Sequence, residues 1–227
     1  MTHQDALVSL FDRLAADGTA DRYEALHDDV ARQVLEAMEV RPGHQLLDAG
    51  CGAGWVTRRL GKKAPGAQAV GIDASKAMIT RADDVSDWTS RARFECMTIE
   101  DIDFPDGRFD HVFALDALEY VEDLAAAAAS LARVTKVGGC LELVVHRHAS
   151  APQAKAWSEP DGVPMHRLDA EGWSSVLEAA GFTVVGTEAL KDSREAAAFE
   201  ATPIAPDEAT RDAALKDVGV LWIRATR

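Results

Sequence analysis

Cysteine is scarce in this chain. Its 227 residues include three, Cys51, Cys96 and Cys140, widely spaced and with no CxxC pair. That pattern argues against a disulfide framework and a cysteine-based zinc site, and gives the thiols structural or incidental roles. No metal is expected from the sequence. Positive charge is in deficit: 24 Lys and Arg stand against 38 Asp and Glu, for a formal net charge of −14. Such a surface repels phosphate backbones and anionic membranes, so a nucleic-acid or membrane partner is disfavoured. The basic groups at Arg58, Arg59, Lys62 and Lys63, and at Arg91 and Arg93, are short and interrupted by apolar positions. No run of about 18 apolar residues is present, so no segment reads as a transmembrane helix. The opening stretch has neither the basic flank nor the apolar centre of a signal peptide, which makes the cytoplasm the expected location.

What the chain does have is core. Hydrophobic residues make up 47% of it, enough for one folded unit of this length. Apolar spacing predicts helices over 4–16 and 21–39, a helical cap of about 1–40 that forms one compact unit with the domain at 41–227. Short apolar runs predict strands at 44–50, 66–73, 92–99, 109–117, 140–146, 183–190 and 218–226. Helical stretches alternate with them: 54–63, a helix capped by Ser75, 121–139 closed by Gly138 and Gly139, and 169–182 stopped by Gly181. This alternation predicts an α/β domain with a mostly parallel, doubly wound sheet covered by helices on both faces.

The stretch "QLLDAGCGAGWVTRRL" (45–60) stands where the first strand turns into a helix. In such sheets ligands sit at the carboxyl ends of strands, and glycine lets backbone and ligand approach closely. A dinucleotide fingerprint requires G-x-G-x-x-G. Trp55 or Thr57 stands where its third glycine would be, and Asp48 would repel a pyrophosphate. A carboxylate there suits a ligand that brings positive charge, such as an ammonium or sulfonium group.

"LLDAGCGAG" followed by "VGIDAS" resembles the first two motifs of the class I S-adenosylmethionine-dependent methyltransferases. "IEDIDFPDGRFDHVFALDALEYVED", "LARVTKVGGCLELV" and "LEAAGF" resemble the later regions, in the same order across about 44–190. The resemblance implies a Rossmann-like sheet with an antiparallel last strand, S-adenosylmethionine as cofactor and S-adenosylhomocysteine as product. It implies that Asp73, with Ala74 beside it, meets the ribose hydroxyls. Gly50, Cys51 and Gly52 would line the methionine moiety, and Asp48 would hold the turn and help bind the ammonium group. Thr98 stands where relatives often carry an acid for the adenine amino group; Ile99 would supply a backbone amide and an apolar contact. Met78 would pack near the adenine, and Leu115 would offer its carbonyl to the ammonium group. The N-P-P-Y or D-P-P-Y signature of amino methylation is absent, since the chain reads Leu115-Asp116-Ala117-Leu118.

Methyl transfer to a small-molecule acceptor by in-line displacement is the activity implied, chiefly a matter of proximity and alignment. Where the acceptor must lose a proton, the candidate bases are Asp116, His146 and Glu119, with His27, Tyr23 and His166 behind them. His111, at the wrong end of its strand, reads as structural. Tyr23, Trp157 and Trp173 could line an apolar acceptor pocket or pack elsewhere. A protein or RNA methyltransferase, a non-catalytic cofactor-binding module and an NAD-dependent oxidoreductase are the competing readings; the chain is expected to be a monomer or homodimer.

Overall fold

Residues 2–146, 163–194 and 213–227 are described by the structure, a computed structural model. Two helices open it. α1 (His3–Ala16) starts at a reciprocal capping box, in which the Thr2 hydroxyl accepts from the Asp5 amide and the Asp5 carboxylate from the Thr2 amide. α2 (Thr19–Ala37) follows Gly18 and buries Leu26, Val30, Val34 and Leu35 along one stripe.

The sheet is built from β1 (Gln45–Ala49), β2 (Gln68–Asp73), β3 (Ala92–Cys96), β4 (Phe109–Leu115), β5 (Thr135–Val145), β6 (Thr183–Leu190) and β7 (Val220–Thr226). Its order is β3-β2-β1-β4-β5-β7-β6. The pairings from β3 across to β5 are parallel, and β7 runs antiparallel to both β5 and β6. The crossover helices are α3 (Trp55–Gly61), α4 (Lys76–Asp84), α5 (Leu124–Val134) and α6 (Ala170–Ala179). The fold class is the one expected from the sequence.

Both faces of the sheet are covered, and the period-2 alternation of the strands assigns side chains to each. Leu47, Val112, Ala114, Leu141 and Ile223 pack with Leu131 of α5 and Trp173 and Leu177 of α6. Leu46, Phe113, Val144 and Trp222 point the other way, against α2 and α3. Trp173 is therefore core, fully buried between α6 and the sheet, and does not line an acceptor pocket. Trp157 lies outside the described residues.

Several elements are a few residues shorter than expected, and one boundary differs more. The helix predicted over 121–139 ends at Val134, and Thr135 is already extended strand (φ −75°, ψ 135°) paired with Phe109. Gly138 and Gly139 belong to the irregular start of β5. The Gly138 amide donates to the Arg227 carbonyl, and the Arg227 amide donates to Gly139. Backbone pairing with two neighbours outweighs the local signal of a glycine stop.

β5 also buries an acid. Glu142 accepts a 2.7 Å hydrogen bond from Trp222 Nε1, and burial pushes its carboxyl up to about 7 from 4.5. Between those values the folded state holds a proton that the unfolded chain has lost. Stability from this group therefore falls as pH rises through the window, and the loss persists above it. Glu142→Gln keeps a neutral acceptor for Trp222. It is expected to stabilise the fold by on the order of 2 kcal/mol at pH 8 and by little at pH 4.5. Urea unfolding of both proteins at the two pH values measures this, and an equal gap at both would contradict the raised pKa.

Candidate active site

Near the end of the first strand lies Asp48, a buried carboxylate whose Oδ2 accepts from the Thr57 hydroxyl at 2.6 Å. Burial pushes Asp48 up to about 7, and nearby Asp73 adds to the rise. The turn beyond it is stitched to β2, because the amides of Gly50 and Cys51 both donate to the Ile72 carbonyl, at 2.8 and 2.9 Å. Gly50 has φ +78°, and a Cβ there would stand 2.3 Å from the Ala117 Cβ. Gly52 has φ +51° and faces open space.

Asp73, at the end of β2, accepts from the amides of Gly52 (2.9 Å) and Ser75 (2.8 Å). Burial pushes its carboxyl up to about 6, opposed by those two N–H groups. Asp73 does not cap α4. Ser75 does, as its spacing predicted: its Oγ accepts from the Met78 amide and donates to Asp12 of α1 at 2.5 Å.

These residues floor a cavity that opens to solvent and is lined mostly by apolar side chains with a few convergent polar groups. All ten positions to which the resemblance assigned the cofactor line it: Asp48, Gly50, Cys51, Gly52, Asp73, Ala74, Met78, Thr98, Ile99 and Leu115. The roof comes from Leu7, Leu10, Phe11 and Leu14 of α1 and from Tyr23 and His27 of α2. Polar contacts tie it down. The His3 ring donates to the Tyr120 carbonyl at 2.7 Å, Phe11 packs edge-on to Tyr120, and Arg81 pairs with Asp21.

At the end of β4 the chain takes an unusual turn. Asp116 has φ +48°, one of two non-glycine residues with positive φ among those described. Such strain persists only where surrounding contacts enforce it. Here the Asp116 amide donates to the Val144 carbonyl, and its Oδ1 accepts from the His146 amide at 2.7 Å. Its Oδ2 is left facing two imidazoles, His27 Nε2 at 2.9 Å and His146 Nδ1 at 3.7 Å. Burial acts to raise the Asp116 carboxyl, but the imidazoles of His27 and His146 outweigh it and hold it well below the usual carboxylate range. His27 Nδ1 faces the Tyr23 carbonyl at 2.9 Å. A carbonyl can only accept, so Nδ1 carries a proton, which leaves Nε2 as the ring atom aimed at Asp116.

Of the candidate bases, Asp116 and His27 line the cavity. His146 is buried behind them and touches His27 Nε2 at 3.0 Å. Glu119 is buried outside the lining. His166 donates its backbone amide to the Glu119 carbonyl and its ring to that of Val121. Thus the structure joins Asp116 and His146 to His27 but does not bring Glu119 or His166 to them. His111 is buried toward the amino end of β4, beside His44, and is remote from the cavity lining. The partnership of His27 with Asp116 was not visible in the sequence, whose only hint was the Tyr23–His27 spacing on one face of α2.

The methyltransferase domain family model matches residues 47–143. A malonyl-[acyl-carrier protein] O-methyltransferase of Halorhodospira halophila is 29% identical over 86% of this chain and 73% of that protein. Its counterpart from Erwinia pyrifoliae is 30% identical over 75% and 68%. Among solved structures, a chain from the Haloferax volcanii complex between the Trm112 methyltransferase activator and a methyltransferase superposes with a TM-score of 0.85. It is 26% identical, with 95% of this chain and 96% of that one covered. The protein belongs to the class I S-adenosylmethionine-dependent methyltransferases, and it is an enzyme of that class. Among the described residues no helix is long and apolar enough to cross a membrane.

Proposed function

We propose that this enzyme methylates an oxygen of a small, largely apolar acceptor held under the α1–α2 roof. One observation carries the reading: a single cavity joins the Gly50–Asp73 floor to His27 and Asp116 beneath an apolar roof. The names of the relatives, O-methyltransferases acting on malonyl-[acyl-carrier protein], support an oxygen nucleophile.

The floor fits S-adenosylmethionine. Asp73 keeps lone pairs for the ribose hydroxyls beside its two backbone donors, the open space over Gly52 admits the methionine portion, and Met78 and Ile99 offer apolar flanks. When bound, the cofactor supplies an electrophilic sulfonium methyl, transferred in line to the acceptor oxygen as the C–S electron pair returns to sulfur to give S-adenosylhomocysteine. The chain's part is positioning: roof and floor hold the two reactants in one water-poor space, and Asp116 with His27 anchors the acceptor oxygen.

Release of S-adenosylhomocysteine with a malonyl thioester and a panel of phenols and hydroxy acids tests this. Asp116→Asn is expected to lower kcat by about 100-fold or more while S-adenosylhomocysteine affinity stays within about threefold. Full turnover in that variant would remove Asp116 from the acceptor site. The likeness to the Haloferax chain favours a second reading on partners alone, a catalytic subunit that works beside an activator protein.

A further inference from the structure

His27 Nε2, His146 Nδ1 and Asp116 Oδ2 form a triangle with sides of 3.0, 2.9 and 3.7 Å. With Nδ1–H committed to the Tyr23 carbonyl, the His27 ring directs Nε2 at both the Asp116 carboxylate, 2.9 Å away, and His146 Nδ1, 3.0 Å away. Each of the three residues thus offers one ligand atom to a common point, the grouping that a metal ion takes.

The size agrees. A point about 1.9 Å from all three atoms lies in their plane, so an ion at the ~2.0–2.1 Å usual for imidazole and carboxylate ligands sits slightly above it. Two of the three ligands are also held by outer contacts, as metal ligands are: His27 Nδ1–H by the Tyr23 carbonyl, and Asp116 Oδ1 by the His146 amide. The strained φ of Asp116 is what turns its carboxylate toward the rings. Two of the three ligands line the cavity, so the remaining coordination positions open onto it.

We propose that His27, Asp116 and His146 form a binding site for one divalent transition-metal ion, open toward the acceptor. Two imidazoles and one carboxylate suit Zn²⁺, Mn²⁺ or Fe²⁺, whereas Mg²⁺ and Ca²⁺ prefer all-oxygen sites. The proposal rests on the functional reading above and deepens it, since the ion becomes the group that anchors the acceptor oxygen. As a Lewis acid it lowers the proton affinity of a bound hydroxyl, whose proton leaves through the cavity mouth to solvent before the oxygen lone pair attacks the methyl carbon.

The test uses the full chain, stripped with chelator and titrated by calorimetry with Zn²⁺ and, for its visible d–d absorption, with Co²⁺. One ion per chain is expected, and His27→Ala and Asp116→Asn, each checked for an intact melting transition, should weaken it by at least about 100-fold. Turnover should vanish on chelation and return with added metal. Absence of one-to-one binding, or binding that survives both substitutions, overturns the site. Titration of the same samples with S-adenosylhomocysteine reads the cofactor assignment separately. Cofactor bound without metal sinks only this proposal, while metal bound without cofactor sinks only the methyl-transfer reading.

Discussion

Asp73→Ala should weaken S-adenosylmethionine binding by about 100-fold or more, the loss of two charge-assisted hydrogen bonds of roughly 1.5–3 kcal/mol each. The wild-type carboxylate is aimed by the amides of Gly52 and Ser75, one on each oxygen. It therefore meets the ribose with its rotamer already fixed and little ordering left to do. Burial pushes its carboxyl up to about 6, and two ribose hydroxyl donors would favour the charged form. Asp73→Asn retains one backbone acceptor and is expected to fall between wild type and alanine. Calorimetry gives the affinities. Melting curves give an independent reading, because saturating cofactor should raise the melting temperature of the wild type far more than that of Asp73→Ala. Equal affinity in all three proteins would show that the ribose lies elsewhere.

A second large effect is expected at Gly50. An alanine there puts its Cβ 2.3 Å from the Ala117 Cβ and forces an L side chain into φ +78°. The overlap and the left-handed backbone together should cost about 3 kcal/mol or more. The two contributions can be separated. With Ala117→Gly in the same chain, the nearest remaining neighbour is the backbone Cα of residue 117 at 3.5 Å, an ordinary contact. The double variant should thus be more stable than Gly50→Ala alone, by a coupling of about 1–3 kcal/mol. Denaturant unfolding of the four proteins of the cycle measures it. A coupling near zero would mean that the β1–α3 turn and the β4 end do not touch as described.

The strands after residue 44 were legible because buried parallel strands are short apolar runs bounded by glycine, proline and acid turns. The cavity floor was legible for a related reason: Asp48, Gly50, Gly52 and Asp73 lie on two adjacent β–turn units, so local spacing already places them together. The Val134–Thr135 border was hidden. The apolar pattern runs through it, and Gly138-Gly139 imitates a helix stop that strand pairing overrides. The cluster at the β4 end was hidden for another reason. His146 lies 30 residues from Asp116 and 119 from His27, and only the packing of α2 over the sheet closes those distances. Asp116 and His146 were suspected one at a time, but nothing local reveals that their imidazole and carboxylate converge.

The roof carries a consequence of its own. The ten residues proposed to seat the cofactor lie between 48 and 115, whereas most of the apolar surface of the roof comes from α1 and α2, before the first strand begins. The seating of the donor and the choice of acceptor are thus written in largely separate stretches of the chain. Exchanging the first two helices for those of a relative would reprogramme which molecules are accepted while leaving the methyl donor's seat untouched, so long as Asp12 still finds Ser75 and a histidine still reaches Asp116.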